Sequence, residues 1–168
     1  MVHSRCIRLI RIKMKLTLLV LLVVTFVSLA GAVQNTPEWK YVATLEDDRD
    51  SWKTYYDTAN IDRQDKGFVR VWLKQVPITK TETDRKRIVS GIIENRKLNE
   101  MSVKGYEEFA YSLTLVEFDC SGRKGRKTAI KDYDRAEKLL GSDRKEGFSF
   151  APVPEESLPG IIMKAVCK

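Results

Sequence analysis

Cys120 is the residue of this sequence best placed to do chemistry, because cations follow it closely. Arg123, Lys124 and Arg126 come shortly after it in the chain. Nearby positive charge lowers the pKa of a thiol and favours the thiolate, which is the nucleophilic form. The same stretch admits two other interpretations. Cys120 can be half of a disulfide, and the glycines around Arg123 and Lys124 match the loop with which KH domains grip a nucleic-acid backbone.

The N-terminal region indicates the compartment. Residues 1–15 carry five Lys and Arg and no acid, an apolar run follows over residues 16–27, and Ala30-Gly31-Ala32 comes next. This order is typical of a secretory signal peptide, so we predict cleavage after Ala32 and a domain over residues 33–168. Translation can start at Met1 or at Met14, because Met14 leaves a complete, shorter signal. The apolar run falls short of the roughly 20 residues of a membrane span, so no permanent membrane anchor is expected after cleavage.

Signal removal changes the charge of the protein. The full chain has 30 Lys and Arg against 23 Asp and Glu, a formal charge of +7. Residues 1–32 take away five cations and no acid, which leaves 25 against 23, or +2. Strong positive charge is the usual footprint of a nucleic-acid binder, and it is absent from such a chain. We therefore expect no nucleic-acid partner.

Signal removal also takes away the only histidine, His3, together with Cys6. A chain without histidine lacks the usual base that activates a serine or cysteine nucleophile. It also lacks the commonest protein ligand for zinc, copper and iron. The sequence therefore predicts a protein that is not an enzyme and that has no cofactor.

Two cysteines, Cys120 and Cys167, remain in the predicted exported chain. An even number of cysteines in an oxidising compartment favours a disulfide. A bridge that closes a loop of about 48 residues would stabilise the fold by roughly 4 kcal/mol in the chain-entropy model. We interpret Cys120 as half of a structural disulfide with Cys167.

The periodicity of the apolar residues predicts an α+β fold. Strands are predicted over residues 38–45, 51–57, 68–76 and 110–120, with shorter ones over 127–133 and 148–150. A helix over residues 83–100, capped by Thr83 or Asp84, would bury Ile88, Ile92, Ile93 and Leu98, and could continue over 101–108. A second helix beginning at residues 154–157 would bury Leu158, Ile161, Ile162, Ala165 and Val166. The expected fold is an antiparallel sheet of about five to six strands packed against one or two helices, with one disulfide.

Two clusters of cations are candidate partner-binding residues. The first lies in the predicted turn after Cys120 and the second in the first turn of the predicted helix, where the helix dipole disfavours positive charge. The residues are Arg123, Lys124, Arg126 and Lys127 in the turn, and Arg85, Lys86 and Arg87 in the helix. A solvated hairpin tip explains the turn residues equally well, and their replacement is expected to change stability by no more than about 0.5 kcal/mol. Trp39, Trp52 and Trp72 fall one per strand, where aromatic residues usually pack the sheet or serve as an outer binding platform.

The order of these segments resembles the surface-adhesin E family of small exported bacterial proteins. The resemblance rests on Trp39, on WKTYYDTANIDR (52–63) followed by VRVWLK (69–74), on YSLTLVEFDC with RKGRKTAIKDYD (111–134), and on PVPEESLPGIIMKAVC (152–167). It implies an antiparallel sheet packed against helix, a bridge between the two matching cysteines, and binding of host matrix or serum glycoproteins. Lipidated members carry a cysteine at the cleavage point, where this chain has Val33, so lipidation is not expected.

Two functions follow from the sequence and the resemblance. The first is an adhesin-like exported protein, periplasmic or secreted to the cell surface, that binds a protein or a glycan. The second is a structural envelope protein that interacts with other envelope components or with its own copy. A homodimer is compatible with both.

Overall fold

The structure is a computed structural model that describes residues 35–46, 50–144 and 149–168. The predicted signal peptide therefore lies outside the described residues. The chain divides into the units Met1–Asn35 and Thr36–Lys168, and the description below concerns the second. Within the described ranges, no helix combines the length and the apolar character that a membrane crossing requires.

Eight strands form one antiparallel sheet. They are β1 (Trp39–Glu46), β2 (Ser51–Asp57), β3 (Asp62–Arg63), β4 (Phe68–Pro77), β5 (Phe109–Asp119), β6 (Lys124–Asp134), β7 (Leu139–Arg144) and β8 (Ala151–Pro152). The main path across the sheet is β1-β2-β4-β5-β6-β7, while the two-residue strands β3 and β8 pair with β4 and β6. The predicted antiparallel sheet is confirmed.

Two helices accompany the sheet, α1 (Glu82–Leu98) and α2 (Leu158–Val166). Thr81 caps α1 in a capping box, in which its side chain accepts from the backbone N–H of Asp84 and the carboxylate of Asp84 accepts from the backbone of Thr81. The cap lies before the predicted Thr83 or Asp84. Ser157 caps α2 by accepting from the N–H of Gly160 at 3.2 Å.

The helix α2 covers one half of a single sheet face. Alternate residues of β4 (Val69, Val71 and Leu73) are buried, as the period of two residues in a strand requires. They pack with Tyr56, Val116 and Phe118 of the neighbouring strands against Ile162, Met163 and Val166 of α2. This cluster is the larger of two apolar cores.

The helix α1 covers the other half of the same face. Trp52 lies four residues before Tyr56 on β2, so both side chains point to one side of the sheet. Trp52 packs against a second core cluster, Val89, Tyr106 and Phe109, together with Ile92 and Ile93 of α1. Both helices therefore lie on one face of the sheet, which we call the helix face.

The disulfide between Cys120 and Cys167 is confirmed, with 5.6 Å between the two Cα atoms. It joins the residue after β5 to the residue after α2. Both cysteines are packed against the larger core cluster. The bridge therefore fastens α2 to the sheet beside the apolar residues that α2 covers.

Several predicted details are wrong. Residues 101–108 do not continue α1, which ends at Leu98; a turn of 3-10 helix forms later, at Tyr106–Glu108. Leu98 is 78% exposed and Ile161 is 46% exposed, so neither contributes to a core. The predicted strand over 148–150 is not found at its described residues, 149 and 150, and residue 148 lies outside the description. The strand Leu139–Arg144 was not predicted.

Candidate functional site

The face of the sheet opposite the helices carries a layer of aromatic and basic side chains, and we call it the open face. No described helix lies against it, because both α1 and α2 pack on the helix face. Its central positions alternate along the strands with the buried core residues. They comprise Tyr55 on β2; Arg70, Trp72 and Lys74 on β4; Leu113, Leu115 and Glu117 on β5; and Arg126 and Lys131 on β6.

Lys74 lies among aromatic rings at one end of the open face. Its Nζ atom is 4.0 Å from the ring centre of Tyr111 and 5.6 Å from that of Trp39. Tyr111 is stacked on Tyr133 of the adjacent strand, with ring centres 5.1 Å apart. Burial raises the pKa of Tyr111, and the carboxylate of Glu137 adds to the effect, so its phenol stays neutral well above physiological pH. The cation therefore lies against neutral rings, which attract it through their π faces.

Lys131 repeats this arrangement two strands away. Its Nζ atom lies 5.1 Å from the ring centre of Trp72. In the sheet register Lys74 is opposite Leu113, and Leu113 is opposite Lys131, so one leucine separates the two lysines. The lysines, Trp72 and Leu113 are all partly exposed. Solvent and any partner can therefore reach a surface of two cations, aromatic rings and one aliphatic side chain.

A buried carboxylate anchors the other end of the open face. The side chain of Glu117 is only 3% exposed and lies between two arginines. Arg70 donates from Nε to one carboxylate oxygen at 2.8 Å, and Arg126 donates from Nε to the other at 2.5 Å. The guanidinium of Arg126 also lies 4.5 Å from the ring centre of Phe150. The two guanidinium groups keep their outer edges partly exposed while Glu117 fixes their positions.

Cations outnumber acids at these central positions. Arg70, Lys74, Arg126 and Lys131 face the single carboxylate of Glu117. Partly desolvated cations next to aromatic rings bind anionic groups and sugar rings well, because the rings supply apolar area and the cations supply charge. The strands hold the backbone in fixed register, so the entropy lost when a partner binds comes from the side chains and not from ordering of the backbone.

The predicted cation cluster after Cys120 is dispersed in the structure. The turn spans residues 120–123 and joins two antiparallel strands, so the glycine-flanked stretch is a hairpin and does not join two helices. Arg123 forms an exposed ion pair with Glu155 at 2.6 Å, whereas Arg126 lies on the open face. Lys124 is exposed at the start of β6, and Lys127 belongs to the helix face because it pairs with the buried Val116.

The predicted cations of α1 are largely engaged in contacts within the domain. Arg85 donates to the carbonyl of Glu107 at 2.5 Å. Arg87 forms an ion pair with Asp50 at 2.6 Å, and Lys86 is exposed. Since α1 begins at Glu82, its first turn is acidic, and the three cations come after that turn. The helix dipole therefore disfavours them less than it would in the first turn, where the sequence predicted them.

The helix face contains a buried network of hydrogen-bonded polar side chains, which is a second candidate for acid–base chemistry. The carboxylate of Asp132 accepts from the phenol of Tyr106 at 2.6 Å, from the hydroxyl of Ser112 at 2.6 Å and from Arg96 at 3.2 Å. Burial, followed by the bond to Asp132, raises the pKa of Tyr106 far above its ordinary value. The network fastens α1 and the 3-10 turn to the sheet. No group of His, Cys, Asp and Glu among the described residues is arranged to hold a metal ion.

The sequence of β4 already indicated part of the open face, although the predicted binding residues come from the cation clusters instead. Arg70, Trp72 and Lys74 alternate along one strand with buried valines and a leucine, which places them together on one side of the sheet. The cross-strand neighbours of these residues depend on strand register, which the pattern within one strand does not give. Lys131 and Arg126 could therefore be assigned to this surface only from the structure.

Comparison with known proteins gives one match. The family model described as "Surface-adhesin protein E" matches residues 39–168, which span all of the strands and helices described above. No curated protein and no solved structure matches the chain.

Proposed function

Because the chain belongs to the surface-adhesin protein E family, we propose that it is an exported binding protein that holds an extracellular protein or glycan on its open face. Family membership suggests an adhesin-like protein at an exported or cell-surface location, which binds a partner and does not catalyse a reaction. The open face supports this function more than any other surface. It is the place where partly exposed aromatic rings and cations are held side by side by regular strands.

The open face suits acidic partners in particular, because cations outnumber acids at its central positions. A sulfated glycan or an acidic glycoprotein surface would meet Lys74 and Lys131, while Trp72 and Tyr111 offer ring faces for stacking. Exposed charges of this kind accelerate association and make it sensitive to salt. The predicted cations Lys86, Arg123 and Lys124 lie away from these four residues and would contribute only at long range.

The test compares a double variant of the open face with a matched control. Lys74→Gln with Lys131→Gln removes the two lysines that contact the aromatic rings of the open face. Lys97→Gln with Lys104→Gln removes two exposed lysines at the end of α1 and in the loop that follows. Binding to heparin and to immobilised matrix and serum glycoproteins is measured by surface plasmon resonance at two salt concentrations. Each lysine removed from the open face should weaken binding about 5-fold or more. This factor corresponds to the loss of about 1 kcal/mol for each ion pair between a lysine and the partner.

Equal losses in the two variants would contradict the open face as the binding surface and would indicate attraction by net charge alone. A wild-type protein that binds none of these partners, but co-purifies from intact cells with envelope components, would favour the structural envelope function instead.

Export without lipidation is part of the proposal. We infer cleavage after Ala32 from the basic segment, the apolar run and the small residues that precede Val33. The intact mass of the exported protein is the test, and it should correspond to residues 33–168 with one disulfide. An added diacylglycerol or a retained N-terminal segment would contradict the inference.

A further inference from the structure

The helix face contains a cavity that the proposed function does not use. It has a volume of about 410 Å³ and lies beside α2, on the side of the sheet opposite the open face. Its floor is formed by buried sheet residues, among them Leu73, Val116 and Phe118. Ligand sites in proteins are commonly clefts of roughly 300–1,000 Å³, so this cavity is large enough to hold a small molecule.

The walls of the cavity are apolar as well. Leu158 from α2 and Val153 from the preceding segment form one side, and Ala151 and Pro152 of β8 form the rim. Leu45, which is 40% exposed at the end of β1, closes the opposite side. A single exposed leucine is ordinary on a protein surface, and Leu45 simply extends the apolar lining of the cavity.

A few polar side chains also line the cavity. Gln75 and Thr114 contribute from the floor strands, and Lys127 lines it from β6. Lys127 is exposed and, within the part of the chain that the structure describes, forms no ion pair, in contrast to Arg123 and Arg126. An uncompensated cation beside an apolar cleft is complementary to a molecule with an apolar body and one anionic end.

We propose that this cavity binds a free single-chain carboxylate, such as a medium-chain fatty acid, with the alkyl chain between α2 and the sheet and the carboxylate at Lys127. The volume suits one alkyl chain and is too small for a two-chain lipid, so the ligand is a free acid and not a lipid that remains in a membrane. The cavity and the open face lie on opposite sides of the sheet, and Arg126, which lines the cavity from β6, is common to both.

The chain-length dependence of binding is the first measurement. Each methylene buried from water contributes about 0.8 kcal/mol, which is about a 4-fold change in Kd. Calorimetric titration below the micelle concentration should therefore show one site, with decanoate binding about 15-fold more tightly than octanoate. Decanol should bind up to about 5-fold more weakly than decanoate, because it lacks the charge that meets Lys127.

Two variants locate the site. Ala151→Trp places a large side chain on the rim and should weaken decanoate binding at least 10-fold. Ala136→Trp, which also replaces an exposed alanine but in the turn between β6 and β7, should not weaken it. Lys127→Gln should abolish the preference for decanoate over decanol. Circular dichroism checks that each variant is folded. If Ala151→Trp does not fold, Lys127→Glu replaces it and should shift the preference toward decyltrimethylammonium.

The proposal is overturned if decanoate shows no saturable binding. It is also overturned if folded Ala151→Trp and Lys127→Gln both bind decanoate like the wild type. Sedimentation with phosphatidylglycerol vesicles in the absence of decanoate binding would show that the surface recognises a membrane, and would likewise refute a site for a free acid.

Discussion

Two arginines that are close in sequence, Arg123 and Arg126, should differ sharply in their contribution to stability. Arg126 donates a charge-assisted hydrogen bond from Nε to Glu117, and its Nη2 atom forms an ion pair with the same carboxylate oxygen. The side chain of Glu117 is only 3% exposed. Arg123 pairs with Glu155 at the surface, where the two side chains are 49% and 58% exposed. We therefore predict a large loss of unfolding free energy for Arg126→Gln and a negligible one for Arg123→Gln. The limit of about 0.5 kcal/mol expected from the sequence for the turn residues does not hold for Arg126, because its partner Glu117 is buried.

The magnitudes follow from the burial of the acceptor. A hydrogen bond to a charged group contributes about 1.5–3 kcal/mol when it is buried. Arg126 is itself 33% exposed, and Glu117 retains Arg70 in its absence, so the lower part of that range applies. Loss of the contact with Phe150 adds about 0.5 kcal/mol. We expect about 2 kcal/mol for Arg126→Gln and less than about 0.5 kcal/mol for Arg123→Gln.

The assay is urea unfolding of both variants at the same pH and ionic strength. Each substitution removes one positive charge, so effects of net charge cancel in the comparison. A double-mutant cycle with Glu117→Gln should give a coupling energy with Arg126 of about 1.5 kcal/mol. Equal and small losses for both arginines would refute the reasoning, because they would mean that Glu117 gains nothing from its second partner.

Three further predictions concern the core. Replacing Cys120 and Cys167 by Ser should lower the free energy of unfolding by about 3–4 kcal/mol, measured in urea, because the bridge closes a loop with a sequence separation of 47; a loss below about 1 kcal/mol would contradict this. Thr54→Val should raise stability by about 1 kcal/mol in the same assay, since the buried Oγ1 of Thr54 has no hydrogen-bond partner among the described residues; a loss would reveal a partner. The pKa of Tyr106 is higher in the folded state than in the unfolded state, so stability should fall as the pH rises past about 10. Tyr106→Phe should therefore lose less stability than the wild type between about pH 8 and about pH 11, and identical losses would refute a stabilised neutral phenol.

A strand could be predicted from the sequence where its own residues alternate between apolar and polar. In β4 apolar and polar residues alternate so regularly that its limits and its two faces follow from the sequence. The strand Leu139–Arg144 was missed because its sequence, LLGSDR, shows no alternation and contains a glycine. It forms because the hairpin places it beside β6, and hydrogen bonding to a neighbouring strand then outweighs weak local preference.

The surface chemistry was less predictable than the fold. Arg123 and Arg126 look alike in the sequence, and only the pairing of Glu117 with Arg126 across β5 and β6 shows that one of them is held by a buried acid. Charge clusters along the chain are not charge clusters in space when a strand alternates its side chains between two faces. Lys127 illustrates this, since it neighbours Arg126 in sequence and lies on the opposite face of the sheet.

The two separate apolar cores have a consequence for the dynamics of the domain. The helix α1 packs on a cluster of three buried residues and is otherwise fastened by polar contacts of Arg85, Arg87 and Arg96. The helix α2 packs on a cluster of nine buried residues and is fastened by a covalent bridge. We therefore expect each helix to open as a unit of its own, with its own free energy of opening. In native-state hydrogen exchange, the amides of α1 should exchange through a low-energy detachment of that helix, while those of α2 should exchange only with global unfolding. Transient exposure of the sheet would thus begin on the α1 side, with the rest of the domain still folded.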